Sequence, residues 1–99
     1  MLESVAIVTG ASQGIGRATA LRLAKDFSAV VLAARSAEAL KEVAAAVKSI
    51  GAEPLAFALD LSSKESAETL ITGTLDHFGR IDALLNIAEI GRASCRERV

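Results

Sequence analysis

Ninety-nine residues suffice for one small domain, and a formal net charge of −1 without a basic block gives no reason to expect a nucleic-acid partner. The 52% hydrophobic content includes no Trp, no Tyr and only three Phe, so the apolar mass is aliphatic, which suits a parallel sheet covered by helices on both faces. No apolar run approaches the roughly 20 residues that span a bilayer, no basic-then-apolar leader opens the chain and a single cysteine excludes an internal disulfide framework, so a cytoplasmic protein with no membrane partner is expected.

Four apolar runs alternate with three helix-period segments, without a linker, repeat or low-complexity stretch. Val5–Thr9 reads as the first strand. A helix over about 15–26 follows, with Gly16, Ala20, Leu23 and Ala24 on its inner face. Ala29–Ala34 reads as a second strand, continuously apolar as a strand buried on both faces should be. Ser36 is placed to cap the next helix, Glu38 lies near its positive end, Leu40, Val43, Ala44 and Val47 form its inner stripe, and Gly51 ends it. Glu53–Leu59 reads as a third strand, with Pro54 near its start where a missing N–H does little harm. Ser62 and Glu65 have capping-box spacing for a third helix. Its stripe is Ala67, Leu70, Ile71, Thr74, Leu75 and Phe78, and Gly79 closes it. Ala83–Ala88 reads as the fourth strand. Strands alternating with helices imply an α/β fold, a Rossmann-type doubly wound parallel sheet in the order third, second, first, fourth.

The chemistry concentrates in Thr9-Gly10-Ala11-Ser12-Gln13-Gly14-Ile15-Gly16, directly after the first strand. Glycines there let the backbone turn tightly and approach a ligand, while the unsatisfied first-turn amides of the next helix attract phosphates. A strand, a glycine-rich turn and a helix start are the context in which such a motif holds a dinucleotide pyrophosphate. The spacing Thr-Gly-x-x-x-Gly-x-Gly resembles the short-chain dehydrogenase/reductase family rather than the tighter Gly-x-Gly-x-x-Gly form. After the second strand, where NAD-selective sites place an acid for the ribose 2′-OH, the chain reads Ala34-Arg35-Ser36. An acid would repel a 2′-phosphate, whereas the Arg35 guanidinium can pair with it and Ser12 and Ser36 can donate hydrogen bonds, so NADP(H) is favoured over NAD(H). The competing reading has Arg35 merely solvated beside a helix N-terminus, an electrostatically poor place for a cation.

The resemblance implies further roles. Asp60-Leu61 matches the family's Asp-Val/Leu pair, whose carboxylate approaches the adenine amino group; a loop Asp that caps the next helix is the plainer alternative. Asn86-Ile87-Ala88-Glu89 stands where the family shows Asn-Asn-Ala-Gly, so Asn86 and Ala88 match this ribose-lining motif and Ile87 departs from it. The cofactor-binding set is therefore Gly10, Ser12, Gln13, Gly14, Ile15, Gly16, Arg35, Ser36, Asp60, Leu61, Asn86 and Ala88. Thr9 either bonds across the turn or packs structurally. Arg17 and Arg22 read as a solvated helix face, with Arg17 a weaker phosphate neighbour. His77 reads as a surface histidine, because no second ligand or base is spaced for metal binding or catalysis.

From Glu89 the character changes to Glu89-Ile90-Gly91-Arg92-Ala93-Ser94-Cys95-Arg96-Glu97-Arg98-Val99, neither strand- nor helix-periodic and holding the only cysteine. This string resembles the translation of a common sequencing adapter, codon by codon, and reads as a non-native tail with no part in the fold. Without its three Arg and two Glu the formal charge moves from −1 to −2. The family's chemistry needs a Tyr-x-x-x-Lys pair with a Ser upstream, the tyrosine moving a proton at the substrate oxygen. This chain has no tyrosine, so no catalytic residue is assigned to it. The expectation is an NADP(H)-binding half-domain over 1–88, truncated after the fourth strand and inactive alone. Its parent would be an oxidoreductase transferring hydride between NADP(H) and a carbonyl or alcohol substrate, with 3-oxoacyl reductases the frequent type in the family. The family's helices that build a homo-oligomer would lie in the remainder of that parent. The alternative is a non-catalytic dinucleotide sensor or binding module on the same fold.

Overall fold

Two aliphatic runs free of charge become the centre of the sheet. In the computed structural model, which describes residues 4–11, 14–60 and 63–86, β1 (Val5–Thr9) and β2 (Ala29–Ala34) are buried at every position. They pair in parallel from Val5↔Ala29 to Thr9↔Ala33. β3 (Glu53–Ala58) lies outside β2 and β4 (Ala83–Asn86) lies outside β1, both parallel, giving the order β3-β2-β1-β4. The order is the one expected from the strand–helix alternation.

The period of two along the central strands sorts their side chains to opposite faces. Val8, Val30 and Leu32 join Ala20 of α1 (Gly14–Leu23) and Leu40, Val43 and Val47 of α2 (Ala37–Ile50) in one core. Val5, Ile7, Val31 and Ala33 join Leu70 of α3 (Lys64–Phe78) in the other. Full burial of a side chain such as Leu32 is worth about 1.5–3 kcal/mol. Two helices therefore cover one face and one covers the other, the doubly wound arrangement.

Local signals set most boundaries. The Ser36 hydroxyl accepts from the Ala39 amide at 3.2 Å, capping α2 at its start, and the Gly51 amide closes it on Val47 and Lys48 carbonyls. Four details differ from the sequence reading. α1 ends at Leu23, not near Asp26, because the amides of Lys25 and Asp26 turn back to Arg22 and Leu23 in three-residue steps that tighten the chain into a turn. The cap of α3 is Ser63 rather than Ser62: the Ser63 hydroxyl accepts from the Ser66 amide at 3.4 Å, while Ser62 lies outside the described residues. The buried face of α3 is rotated from the expected stripe, with Leu75 and Ala67 exposed and Gly73 seated against the Phe57 ring instead. β3 stops at Ala58, and Leu59 follows it with its amide donated to Ala34 at 2.9 Å. Of the fourth strand, Ala83–Asn86 is seen, and Ile87 and Ala88 lie outside the described residues.

Candidate functional site

The C-terminal ends of four parallel strands bring the candidate residues to one edge of the sheet. Thr9 and Asn86 sit opposite one another as the last rung of the β1–β4 ladder. Arg35 follows β2 directly, and Asp60 follows β3 by two residues. α1 covers one face of the sheet and α3, which leads into β4, covers the other, so β1 and β4 meet at the switch point of the sheet, where sheets of this kind hold ligands.

The turn between β1 and α1 is built by its glycines. Gly10 and Gly14 have φ of 66° and 58°, the left-handed region that side chains disfavour. The Ala11 amide donates to the Ala33 carbonyl at 3.2 Å, which anchors the turn on β2. Gly16 is needed for a different reason, close approach. A Cβ there would lie 1.8 Å from the Gly10 carbonyl oxygen, so α1 starts in backbone contact with the turn. Around Gly14, by contrast, a Cβ would meet nothing within 4 Å. Gly14 and Ile15 are exposed, Ile15 at 74%.

The electrostatics at this helix start set it apart. α2 and α3 carry Glu38 and Glu65 in their first turns, which offset the positive end of each helix dipole. α1 has no acidic residue in its first turn. The positive end of its dipole is therefore not offset by a carboxylate within that turn, and helix starts of this kind attract anions such as phosphate groups.

Around the turn, the Thr9 hydroxyl donates to the Leu85 carbonyl at 3.4 Å, tying the end of β1 to β4. Arg35 is exposed and makes no ion pair among the described residues. Ser36 uses its oxygen to accept from Ala39 and keeps its O–H hydrogen as a donor. The Asp60 backbone carbonyl accepts from the Ser63 amide at 3.2 Å, and the side-chain cap of α3 comes from Ser63. Ser12, Gln13, Leu61 and Ala88 lie outside the described residues.

Other polar features stand apart from this edge. His77 is exposed, with its ring edge-on to Phe78 at 4.6 Å between centroids. Among the described residues no group of three His, Cys, Asp or Glu could hold a metal ion, and no helix is long and apolar enough to cross a membrane. An open groove of about 510 Å³ between β3 and α3 is lined by Phe57, Glu65, Glu68, Thr72, Gly73 and Asp76. Its three carboxylates would repel an anionic dinucleotide, so the groove is not that site. The sequence reading passed over Arg80 and Asp82 at the opposite end of β4. There the Arg80 guanidinium grips the Asp82 carboxylate at 2.9 and 2.7 Å, and this hydrogen bonding, with another from the Val5 amide, holds the Asp82 carboxyl below the usual aspartate range. The signal available was an Arg-x-Asp step immediately before an apolar run.

A profile for the short chain dehydrogenase family matches residues 4–98, a span that runs into the 89–99 string. The chain belongs to the short-chain dehydrogenase family. A 3-oxoacyl-acyl-carrier-protein reductase from Synechocystis sp. is 45% identical over 93 residues, which are 93% of this chain and 38% of the relative. An alcohol dehydrogenase from the archaeon Thermococcus sibiricus, solved in complex with 5-hydroxy-NADP, superposes with a TM-score of 0.76 at 40% identity, covering 82% of this chain and 35% of that one. An NAD⁺-bound xylitol dehydrogenase superposes with a TM-score of 0.78 at 38% identity, covering 82% and 31%. The chain therefore spans about a third of the length of these relatives.

Proposed function

We propose that residues 1–88 are the cofactor-binding half of an NADP(H)-dependent oxidoreductase acting on a carbonyl or alcohol, with 89–99 a non-native tail. The observation that carries the cofactor reading is the glycine turn packed against a helix start that lacks an acid, at the switch point of the sheet. When bound, the nicotinamide supplies the hydride chemistry. Gly10, Ser12, Gln13, Gly14, Ile15 and Gly16 cradle the pyrophosphate. Arg35 and Ser36 meet a 2′-phosphate, Asp60 and Leu61 border the adenine, and Asn86 and Ala88 border the ribose. None of these residues moves a substrate proton, and a chain without tyrosine does not supply the family's acid, so the 99 residues alone are expected to bind and not to turn over.

The liganded neighbours include both NADP- and NAD-type cofactors, so the preference for NADP(H) rests on Arg35. The test is Arg35→Asp. An exposed guanidinium pairing with a phosphate stands at the lower end of charge-assisted bonds, so NADPH affinity should fall about tenfold. NADH affinity should hold or rise. Equal loss of both would remove Arg35 as the discriminator.

A further inference from the structure

Arg35, Ser36, Ala37 and Glu38 are four consecutive exposed residues that leave β2 and open α2. They bring opposite charges to one helix start. Ser36 is the cap and Ala37 the first helical residue, so Glu38 lies in the turn whose leading amides have no partner within the helix. The Ser36 hydroxyl accepts from the Ala39 amide at 3.2 Å, and the Glu38 carboxylate offsets the positive end that remains.

Arg35, just before the cap, does not neutralise this carboxylate. Among the described residues neither Arg35 nor Glu38 forms an ion pair. The Cα atoms of Ser36 and Glu38 stand at most about 7 Å apart, two steps of extended chain. An anion met by Arg35 and Ser36 therefore shares its helix start with a carboxylate. α1 has no acid in its first turn, so the opposition falls on the end of β2 and not on the glycine turn. The two cofactor forms differ at that place: a 2′-phosphate brings about 1.5–2 negative charges, and a 2′-hydroxyl brings none.

We propose that Glu38 is a specificity-determining residue that opposes Arg35: its carboxylate holds the positive end of α2 that a 2′-phosphate would use, and keeps the discrimination between NADP(H) and NAD(H) below what Arg35 alone would give. The same carboxylate that steadies the helix therefore weakens the site beside it. The proposal rests on the cofactor reading given above. An exposed charge about one helical turn from the phosphate acts through water and salt, which sets the effect on NADPH affinity at about two- to fivefold.

The test is calorimetric titration of NADPH and of NADH into the full chain, wild type, Glu38→Gln and Glu38→Lys, at low and at high salt. Glu38→Gln should bind NADPH about two- to fivefold more tightly than wild type at low salt, and Glu38→Lys more tightly again. Both gains should shrink at high salt, because exposed charges are screened, and NADH affinity should stay level throughout. Thermal melts without ligand give the other half of the trade: Glu38→Gln should melt slightly below wild type, since α2 loses the acid at its positive end. NADPH affinity unchanged or lower in both variants, or a gain shared equally by NADH, overturns the role of Glu38 while leaving the cofactor reading in place. Binding of neither cofactor by the wild type and the variants overturns the cofactor reading, and the proposal falls with it.

Discussion

Gly16→Ala pits a local gain against a tertiary clash. In an exposed helix interior this replacement stabilises by about 1 kcal/mol, because alanine loses less backbone entropy. Here the new methyl would sit 1.8 Å from the Gly10 carbonyl oxygen and 2.6 Å from its carbon. Both are backbone atoms, so α1 must move away from the turn by more than about 1 Å to reach a tolerable contact, at an overpacking cost of about 1–3 kcal/mol or more. The net expectation is a loss of up to about 2 kcal/mol or more, and each kcal/mol lowers the melting temperature by roughly 4–8 °C in a domain of this size. Gly73→Ala is the matched comparison: its methyl would meet the Phe57 ring at 2.7 Å, a side-chain end that can swing aside. It should change stability by less than about 1 kcal/mol. Circular dichroism melts and denaturant titrations of both variants, together with NADPH titrations, read the difference. A Gly16→Ala protein more stable than wild type, with NADPH affinity intact, would refute the close approach of α1 to the turn.

Four other outcomes follow from particular residues. Ser36→Ala removes the acceptor for the Ala39 amide and should cost about 1 kcal/mol in denaturant unfolding; no change would mean that α2 does not use this cap. Leu32→Ala should cost about 2–5 kcal/mol at a fully buried position. Leu84→Ala, at a position 54% exposed, should stay within about 0.5 kcal/mol, and equal costs for the two would contradict the placement of the core. Asp82 sets a pH dependence. Its folded pKa lies below the unfolded one, so its contribution is present above the ordinary aspartate pKa of about 4 and is lost as pH falls through the lower folded value. Wild-type stability should therefore drop below about pH 4 more steeply than that of Asp82→Asn, and parallel acid profiles would contradict this role.

What the sequence disclosed depended on how far each signal was local. β1 and β2 could be read residue for residue, because an uninterrupted aliphatic run has one comfortable place, the middle of a covered sheet. Ser36 and Gly51 bounded α2 because caps act within one turn of the chain. The end of α1 was overextended because Ala24 continues the apolar period, and periodicity does not distinguish a last helical turn from a tighter one. The stripe of α3 was misjudged at Ala67 and Leu75, both exposed, since helical periodicity does not show contacts with distant elements such as the one Gly73 makes with the Phe57 ring of β3. At the site, Gly10, Gly16 and the strand-end placement of Arg35 and Asp60 were legible from motif and alternation. The bonds from Thr9 to Leu85 and from the Val5 amide to Asp82 were not, because each joins residues more than seventy positions apart.

If this chain holds NADP(H) at the glycine turn with Arg35 choosing the phosphorylated form, isothermal titration of NADPH and NADH into the full 99-residue chain at matched ionic strength reads it most directly. Saturable one-to-one binding of both is expected, with NADPH tighter by about tenfold. Binding of neither, or tighter binding of NADH, would contradict it.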